Sequence, residues 1–510
     1  MRTLARGISA RSALLALAAS TMMLGLAPDA CLAQRYLPVF YSKALAIPEP
    51  MKVEWKASAS FPLSGSTALV APAGTSNQVR QIAADLKRLL RDLFATDPQL
   101  LFTDLIPEKN AIVLGTLEDS TALRDLFPNI PREQFGNFPD QGYVITSTPQ
   151  RVVLIGRSAE GLKYGIQTLL QIIAPGISIG TYVVPPVEIV DFPATEMRAL
   201  LLPFGSYRQL YQMAKIRELI SVAQSLHMNT IILQVNDATI FDSAPTIARS
   251  GATHKDTLRA MVQYAREAGL EVIPLVSTLS QQGSLLCAAH PTLCLDENTY
   301  DPANPKVYAK LFGILDEVIE IFQPRYLHIG HDKVLAFLKM SEADAQRLFL
   351  SDVRKIYEHL KSRNVGTMMW ADMLVHAQNC PGQENCHGFL GGIYTIIDSL
   401  PRDIVMVDAQ YRQRSPDYPS MDFLLSKGFP VVGCVGSDTT TVNNFSKYAA
   451  ERGVRVDGMI VAVWDWYKYA GMHTPTETIW RGAQAFWRGG IPPVDPTGRK
   501  TPPALRDINY

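Results

Sequence analysis

The chain has 510 residues, of which 47% are hydrophobic and 19% are charged. This is enough apolar material for a large core, and the length is typical of two or three domains. Lysine plus arginine and aspartate plus glutamate are balanced at 48 each, so the composition gives no electrostatic case for binding nucleic acid or an anionic membrane. A neutral chain fits an uncharged partner such as a sugar, although it fits many other roles as well.

Residues 1–33 have the pattern of a cleaved signal peptide. Three arginines fall within the first eleven residues, an apolar stretch covers 12–27, and Cys-Leu-Ala precedes Gln34. The apolar stretch is too short for a stable membrane span. Lipid anchoring through Cys31 is an alternative, but the preceding Pro-Asp-Ala is a poor lipobox. We therefore expect an exported protein, periplasmic or secreted, without stable membrane insertion after cleavage.

Export permits disulfides, and the cysteine spacing suggests two of them. Cys287 and Cys294 are seven residues apart, and Cys380 and Cys386 are six apart, so each pair is expected to close a short loop. The second pair resembles a metal-binding spacing, but no second ligand cluster accompanies it. Cys434 lies in an apolar stretch and is expected to be a buried free thiol. We expect no metal and no cofactor.

After an extended segment at 34–51, residues 52–190 predict a small α+β domain. Residues 77–95 carry apolar side chains at helical spacing. Residues 142–156 predict a β-hairpin, and the helix that follows has Ser158 as its expected N-cap. Nothing in this domain has a catalytic pattern.

Strands and helices alternate from 191 to 490, and a tail follows at 491–510. The eight expected strands are short and apolar and span 197–202, 230–235, 271–276, 325–330, 366–370, 403–408, 429–434 and 458–463. Eight such strands separated by amphipathic helices predict a (β/α)8 barrel, also called a TIM barrel. Barrel enzymes keep their sites at the carboxyl ends of the strands.

Polar and aromatic residues gather at these expected strand ends. They are Asp237, Ser277, Gln281, His331, Asp332, Lys333, Trp370, Asp372, Asp408, Tyr411, Trp464, Asp465 and Trp466, with His328 inside the fourth strand. Aromatic walls with interspersed carboxylates suit a sugar, because sugar faces are apolar and sugar rims carry hydroxyls. Strand ends are also polar simply because loops begin there, but a carboxylate on five of the eight strands favours a carbohydrate site.

The segment HIGHDKV at 328–334 resembles the HIGGDE motif of family 20 glycoside hydrolases, the β-N-acetylhexosaminidases. The end of the small domain at 142–173, and the barrel segments FPATEMRALLLPFG, LHMNTIILQVND, GLEVIPLVSTLSQ and MMWADML, are similar to that family in order and spacing. The resemblance covers about residues 52–480 and implies a small domain preceding a catalytic barrel, with amino-sugar glycans as partners.

The family resemblance also implies a substrate-assisted mechanism, outside the usual two-carboxylate scheme. The 2-acetamido oxygen of the substrate attacks C1, an aspartate orients the amide nitrogen, and the adjacent glutamate protonates the leaving oxygen. Asp332 matches the aspartate, whereas Lys333 occupies the position of the glutamate and His331 that of the second glycine. The resemblance therefore makes Asp332, Lys333 and His331 the catalytic candidates.

Other positions depart from the family in the same pocket. Gln234 and Gln281 stand where histidines are expected, and Ser206 where a sugar-binding arginine is expected, with Arg208 as a substitute. The expected sugar-binding residues are Asp237, Gln281, His328, Trp370, Asp372, Tyr411, Trp464 and Trp466.

Three hypotheses follow for the proton donor and the function. Lys333 or His331 replaces the missing acid in an active glycosidase; an ammonium beside a carboxylate tends to keep its proton, whereas a histidine titrates in a suitable range. Alternatively, the chain is a catalytically inactive carbohydrate-binding or scaffolding protein on a hexosaminidase fold. The third hypothesis is a lyase that uses Lys333 as its base, for which no other feature of the sequence argues.

Overall fold

The fold is described from a computed structural model. It covers residues 46–117, 119, 123, 139–203, 205, 206, 209, 210, 213–380, 385–464 and 475–491. The expected signal peptide, Arg208, Asp465, Trp466 and the tail beyond Ile491 lie outside the described residues.

The small domain is built on one seven-stranded mixed sheet. Its strands are β1 (Lys52–Trp55), β2 (Ala68–Ala71), β3 (Gln99–Phe102), β4 (Ala111–Thr116), β5 (Tyr143–Ser147), β6 (Arg151–Gly156) and β7 (Val187–Asp191). Their order is β1-β7-β5-β6-β4-β2-β3. The expected hairpin is present as the antiparallel pair β5–β6, in which Tyr143 faces Gly156. A small antiparallel sheet beside it joins Phe61–Leu63, Tyr182–Val184 and Ala174–Pro175.

Two helices of this domain, α1 (Asn77–Phe94) and α2 (Ala159–Ile172), share one hydrophobic core with the strands. Their first turns are capped as the sequence predicts. The Ser76 side chain accepts a hydrogen bond from the Val79 N–H, and the Ser158 side chain accepts from the N–H groups of Glu160 and Gly161. Such caps satisfy backbone donors that have no partner within the helix.

The second domain is the predicted (β/α)8 barrel. Its parallel strands are β8 (Met197–Pro203), β9 (Thr230–Gln234), β10 (Glu271–Thr278), β11 (Tyr326–Gly330), β12 (Gly366–Trp370), β13 (Val405–Ala409), β14 (Val431–Val435) and β15 (Gly458–Ala462). They close in sequence order, with β15 pairing back onto β8. The predicted fold class is confirmed, and the strand bounds fall within two residues of those expected.

Helices surround the barrel. They are α3 (Met213–Ser225), α4 (Lys255–Glu267), α5 (Pro305–Phe322), α6 (Glu342–Lys361), α7 (Pro419–Ser426), α8 (Thr439–Arg452) and α9 (Pro475–Arg488), with a one-turn helix at Leu286–Ala289. Between β12 and β13 the chain forms 3-10 turns over Leu390–Ser399 instead of an α-helix, because Gly391 and Gly392 adopt φ values of 64° and 65°. Short ribbons pair Thr239–Ile240 with Thr253–His254, Cys294–Asp296 with Thr299–Tyr300, and Gly205–Ser206 with Gln209–Leu210.

Alternation along the strands produces two apolar layers. One faces the barrel axis and includes Leu201, Ile273 and Met368, while the other lies between strands and helices and includes Leu327 and Ile329. None of the helices in the described part of the chain combines the length and apolar character that a membrane crossing requires.

A buried arginine joins the two domains at the amino end of the barrel. Arg198 is fully buried. Its Nε donates to the His227 carbonyl at 2.8 Å, Nη1 to Gln141 Oε1 at 2.6 Å, and Nη2 to the Tyr164 hydroxyl at 3.0 Å. Further acceptors for Nη1 are the carbonyls of Thr195 and Glu196, both at 2.8 Å. The guanidinium therefore loses its water but gains a protein partner on every nitrogen.

A buried carboxylate completes this junction. Asp191, at the end of β7, accepts from Trp487 Nε1 and from the Met51 N–H, both at 2.8 Å, and from the Tyr143 hydroxyl. Burial raises the pKa of Asp191 to about 7, although these hydrogen bonds act in the opposite direction. The carboxyl thus ties strand, helix and N-terminal segment together.

The predicted disulfides are present. Cys287 is bonded to Cys294 and Cys380 to Cys386, with Cα–Cα distances of 5.8 and 6.2 Å. Both sulfurs of the second pair are consumed by the bond, which removes the metal-binding alternative for that loop. Cys434 is a buried free thiol, as expected. The described residues contain no group of three or more His, Cys, Asp or Glu side chains that could hold a metal.

Candidate active site

A cavity of about 350 Å³ opens at the carboxyl ends of the barrel strands. Its lining contains eight of the eleven residues singled out from the sequence, namely Asp237, Gln281, Asp332, Lys333, Trp370, Asp372, Tyr411 and Trp464. Pro203, Gln234, Val235, Asn236, Ala238, Arg249, Ser277, Ser284, Asn385 and Ala409 complete the wall. The volume lies within the range of small-molecule sites.

The chain turns sharply after β11, and this turn presents Asp332 and Lys333. Gly330, His331 and Lys333 have φ values of 76°, 71° and 49°. The left-handed region is unfavourable for residues with a Cβ, so two of these three positions carry local strain. Strain of this kind is typical of functional sites, where the surrounding structure holds it. Here it ends strand alternation and places Asp332 on the cavity wall.

Asp332 is half-buried and carries a perturbed carboxyl. Burial and then the negative charge of Asp372 raise its pKa to about 6, against the opposing influence of Lys333. Gln281 Nε2 lies 3.4 Å from Asp332 Oδ2, a long hydrogen bond, and the Ser280 hydroxyl donates to the Asp332 carbonyl. The carboxyl is therefore ionised near neutral pH and becomes protonated in mildly acidic solution.

Lys333 is exposed, in contrast to its neighbour. Its backbone N–H donates to Asp372 Oδ2 at 3.1 Å. Its ammonium forms no ion pair with any carboxylate in the part of the chain that the structure describes, and this includes the neighbouring Asp332. The ammonium is consequently available at the cavity rim.

Asp372 lies in the 3-10 turn directly after β12 and is only 6% exposed. His387 Nδ1 lies 2.8 Å from Asp372 Oδ2, the same oxygen that accepts from Lys333. The ring of His387 is thus placed against the carboxylate from outside the cavity. Sequence reasoning missed His387, although it follows Cys386, whose disulfide was predicted.

Aromatic side chains form one side of the cavity. The rings of Trp370 and Trp464 are 6.1 Å apart at an interplanar angle of 54°. Trp464 Nε1 donates to the Tyr411 hydroxyl at 2.9 Å. Three strand ends therefore supply a fixed apolar wall of the kind against which a sugar ring packs.

The opposite side of the cavity is polar. Asp237 is buried, which raises its pKa, while Arg249, whose Nε is 3.8 Å from Asp237 Oδ2, lowers it. Asn236 Oδ1 accepts from the Ser277 N–H at 2.9 Å and links the ends of β9 and β10. Arg249 and Asn385 were not predicted as site residues, because both reach the cavity from loops.

The structure corrects the placement of two histidines. His331 is fully buried behind β11, with Nε2 2.9 Å from Asp352 Oδ2 and Nδ1 2.8 Å from the Thr278 hydroxyl. His328 is fully buried inside the barrel, 4.5 Å from the ring of Trp370. Neither lines the cavity. The left-handed turn at Gly330 and His331 rotates the His331 ring away from the cavity, so it has no path to a leaving group.

One other expected strand-end residue, Asp408, lies outside the cavity wall. Asp408 is buried beneath α7, where it accepts from the Ser420 hydroxyl at 2.7 Å and from Gln410 Nε2 at 2.6 Å. It is therefore a satisfied structural carboxyl outside the cavity wall. Trp466 and the substitute Arg208 lie outside the described residues, as does the side chain of Ser206.

The closed barrel places carboxylates and tryptophans together at the carboxyl ends of its strands, an arrangement that suits a sugar. The chain matches two family models, "Glycosyl hydrolase family 20, domain 2" over residues 45–192 and "Glycosyl hydrolase family 20, catalytic domain" over residues 198–386. Together they cover well over half of the chain. The chain belongs to family 20 of the glycoside hydrolases, which confirms the resemblance noted in its sequence.

The chain is also similar to curated proteins named as β-hexosaminidases. A β-hexosaminidase of Porphyromonas gingivalis is 25% identical over 329 residues, which cover 58% of this chain and 39% of that protein. A β-hexosaminidase subunit beta of Entamoeba histolytica is 23% identical over 222 residues, covering 38% of each. The chain therefore spans about two fifths of the length of these relatives.

Solved structures share the fold over most of the chain. A β-N-acetylhexosaminidase from Bacteroides fragilis has a TM-score of 0.63 at 19% identity, covering 88% of this chain and 92% of that one. A chitobiase from Flavobacterium johnsoniae has a TM-score of 0.65 at 16% identity, covering 87% and 69%. At such identities the likeness establishes the two-domain fold.

Proposed function

We propose that the protein is an exported glycoside hydrolase of the β-N-acetylhexosaminidase type, acting on glycans that contain N-acetylhexosamine. The observation that carries the proposal is the position of Asp332, the residue that matches the family aspartate, on the wall of a cavity that also contains Trp370 and Trp464. Family membership supplies the reaction class, and the cavity supplies a place for one sugar ring.

The chemistry follows from the substrate and from Asp332. The acetamido oxygen of the substrate attacks C1, the bond to the leaving oxygen breaks, and water later opens the resulting ring. Asp332 must be ionised to accept the amide N–H and stabilise the positive charge that develops there. Because the pKa of Asp332 is raised to about 6, this role is available at neutral pH and is lost in acid.

The residue that would protonate the leaving oxygen differs from that of the family. Lys333 stands where the family has its acidic glutamate, and His331 is buried away from the cavity. Loss of the glutamate supports a second candidate function, a carbohydrate-binding protein without turnover on the same fold. Both candidates use the same cavity, so they differ only in turnover.

The deciding experiment pairs two measurements on the purified protein. Hydrolysis of a chromogenic N-acetyl-β-D-glucosaminide is followed between pH 5 and 8, and binding of N-acetylglucosamine is measured by calorimetry. Turnover supports the glycosidase, and binding without turnover supports the binding protein. If neither turnover nor binding is detected, the proposal of an N-acetylhexosamine site is wrong.

Export rests on separate grounds. The pattern of residues 1–33 favours a cleaved signal peptide, and two disulfides are consistent with an oxidising compartment. Mass spectrometry of the mature protein from cell fractions tests this: an N-terminus at Gln34 outside the cytoplasm supports it, and an intact N-terminus in the cytoplasm contradicts it.

A further inference from the structure

Three large apolar side chains of the barrel are more than half exposed in the part of the chain that the structure describes. They are Leu335 at 61%, Leu338 at 63% and Phe389 at 54%. All three lie in the loops after β11 and β12, at the carboxyl end of the barrel, and none of them lines the cavity. A single exposed apolar residue is ordinary, but several that are adjacent to each other mark a surface that binds another molecule.

A 3-10 helix over Leu335–Lys339 presents the two leucines together. Side chains three residues apart eclipse each other in such a helix, so Leu335 and Leu338 share one face. The opposite face is buried, and Phe337 Cβ lies 3.2 Å from the position that a Cβ on Gly391 would take. Phe389 is two residues before Gly391, within about 7 Å along the chain. We call Leu335, Leu338 and Phe389 the rim patch.

The rim patch is continuous with the cavity along two segments of the chain. Lys333 lines the cavity, its N–H donates to Asp372 Oδ2 at 3.1 Å, and Leu335 follows two residues later. His387 Nδ1 lies 2.8 Å from the same oxygen, and Phe389 follows two residues later, with its ring 6.4 Å from that of His387. Both segments therefore leave one carboxylate of the cavity wall and end in exposed apolar side chains.

This position indicates what the rim patch binds. The cavity of about 350 Å³ has room for one sugar ring, so a group attached to that sugar must cross the rim. Beside Lys333, the residue in the position of the acid that protonates the leaving oxygen, the rim continues into three apolar side chains. A hydroxylated leaving group would gain little from them, whereas an alkyl chain would remove their surface from water.

We propose that the rim patch binds an alkyl leaving group, so that the preferred ligands are amino-sugar glycosides with an apolar chain on the anomeric carbon. The inference rests on the proposed function, because the sugar of that glycoside occupies the cavity. Full burial of one methylene increases affinity about fourfold. A chain that buries two or three methylenes on the rim patch should therefore bind about 10- to 100-fold more tightly than a methyl group.

The test is calorimetric titration of the full chain with the S-linked methyl and octyl glycosides of N-acetyl-β-D-glucosamine, below the micelle concentration of the octyl compound. The sulfur linkage limits hydrolysis during the titration. The readout is the ratio of the two affinities, which should be about 10 to 100 in wild type. The double variant Leu335→Ser with Leu338→Ser should reduce this ratio to about 3 or less, because it removes most of the apolar surface.

Leu105→Ser is the matched control, since Leu105 is 84% exposed and belongs to the small domain, and it should keep the wild-type ratio. If the double variant does not fold, Phe389→Ser decides, and it should lower the ratio at least threefold. Equal affinity of wild type for both glycosides, or a ratio that these variants do not change, overturns the inference and leaves the proposed function standing.

Two further outcomes have different meanings. A wild-type protein that sediments as a dimer, and a double variant that sediments as a monomer, would assign the rim patch to a second copy of the chain and overturn the inference. A wild-type protein that binds neither glycoside overturns the proposed function itself, together with this inference.

Discussion

The charged groups at the two ends of the barrel differ in how fully the protein pairs them. At the amino end, every guanidinium nitrogen of Arg198 has a protein acceptor, and the Asp191 carboxylate receives several donors. At the carboxyl end, Asp332 has one long hydrogen bond to its carboxylate and Asp372 leaves an oxygen without any partner in the described structure. The two charged groups of the junction are therefore fully paired within the protein, whereas the carboxylates of the cavity are not. Buried polar atoms without a partner occur at the amino end as well, among them both ring nitrogens of His227.

Non-glycine residues with positive φ occur at both ends of the barrel. At the carboxyl end they include Asn236, Leu279, Gln281, His331 and Lys333, and at the amino end they include His227, Gln323 and Asn364, which precede β9, β11 and β12. Neither charge burial nor positive φ alone marks a functional site in this molecule. The carboxyl end differs because there the left-handed turn of His331 and Lys333 places Asp332 on the wall of a cavity that a ligand can enter.

The largest effect is expected at the carboxyl end from Lys333→Glu. If Lys333 occupies the position of the general acid, this change should create or raise hydrolysis of a chromogenic N-acetylglucosaminide by about 10²–10⁴-fold, the usual contribution of general acid catalysis. The new carboxyl lies beside Asp332, and mutual repulsion should raise its pKa, as a proton donor near neutral pH requires.

Asp332→Asn in the Lys333→Glu background is the control, since it should abolish the gain by removing the carboxylate that orients the acetamido group. A lower rate in Lys333→Glu than in an active wild type would mean that Lys333 has a catalytic role of its own. No turnover in either protein would place the main defect at other departures from the family, such as Gln281.

Removing the buried arginine at the amino end should destabilise the folded protein. Arg198→Leu leaves Gln141, Tyr164 and three backbone carbonyls without their donor, so the free energy of unfolding should fall by about 3–5 kcal/mol, the range for removing one member of a buried charged network. Urea unfolding measures it. Arg259→Leu, at a half-exposed ion pair, should change stability by about 0–1 kcal/mol. Equal effects of both variants would contradict the division between the two ends.

A smaller effect is expected from the aromatic wall. Trp464→Ala should weaken binding of N-acetylglucosamine by about 2 kcal/mol, the scale for truncating an interface aromatic, with little loss of stability because Trp464 is only half-buried. Trp370 is a less clean test, because it is 6% exposed and belongs to the barrel core. Trp464→Phe, which keeps a ring but not the N–H to Tyr411, should fall between wild type and alanine. Wild-type affinity in Trp464→Ala would place the sugar elsewhere.

The smallest expected effects are those of pH, which should act in opposite directions on activity at the carboxyl end and on stability at the amino end. Asp332 must be ionised to act, so activity should fall about tenfold per pH unit below its pKa of about 6. The pKa of Asp191 is raised in the folded state to about 7 from its ordinary value of 3.8, so the folded state holds its proton more tightly. Its contribution to stability is greatest below about pH 4 and is lost as pH rises toward 7.

Lowering the pH should therefore reduce activity or binding at the cavity, while it increases the contribution of Asp191 to the free energy of unfolding. Parallel pH titrations of turnover, or of binding if turnover is absent, and of urea midpoint test this opposition. A binding constant that does not change between pH 7 and 5 would contradict the role of an ionised Asp332. In the Asp191→Asn variant, the free energy of unfolding should depend less on pH, because the titrating carboxyl is gone. The pH dependence of turnover or binding should be the same as in wild type.

The fold was predictable because it depends on local patterns. Short apolar strands, helical periodicity and the caps at Ser76 and Ser158 are all visible in neighbouring residues. The exception is 390–399, where a helix would have been the default and two left-handed glycines prevent it. The strand-end rule likewise found most of the cavity wall, because parallel strands of a barrel end on one face.

The site was less predictable where geometry overrides sequence order. His331 is adjacent to Asp332, yet two successive left-handed residues turn its ring toward Asp352. His387 is 54 residues after Lys333, yet it contacts the carboxylate that binds the Lys333 N–H. Side-chain direction after a strand ends, and the reach of a disulfide-bound loop, are properties of three-dimensional packing that a spacing argument does not contain.

His328 sets the electrical character of the cavity floor. Burial and the neighbouring His331 lower the pKa of His328 to about 3, so the ring beneath Trp370 is uncharged throughout the range in which the protein would work. The Gly330 N–H donates to its Nδ1 at 3.1 Å, which places the proton of the neutral ring on Nε2. A ligand packed on Trp370 therefore lies next to a ring whose charge does not vary with pH in that range, so any pH response of binding must come from other groups, such as Asp332.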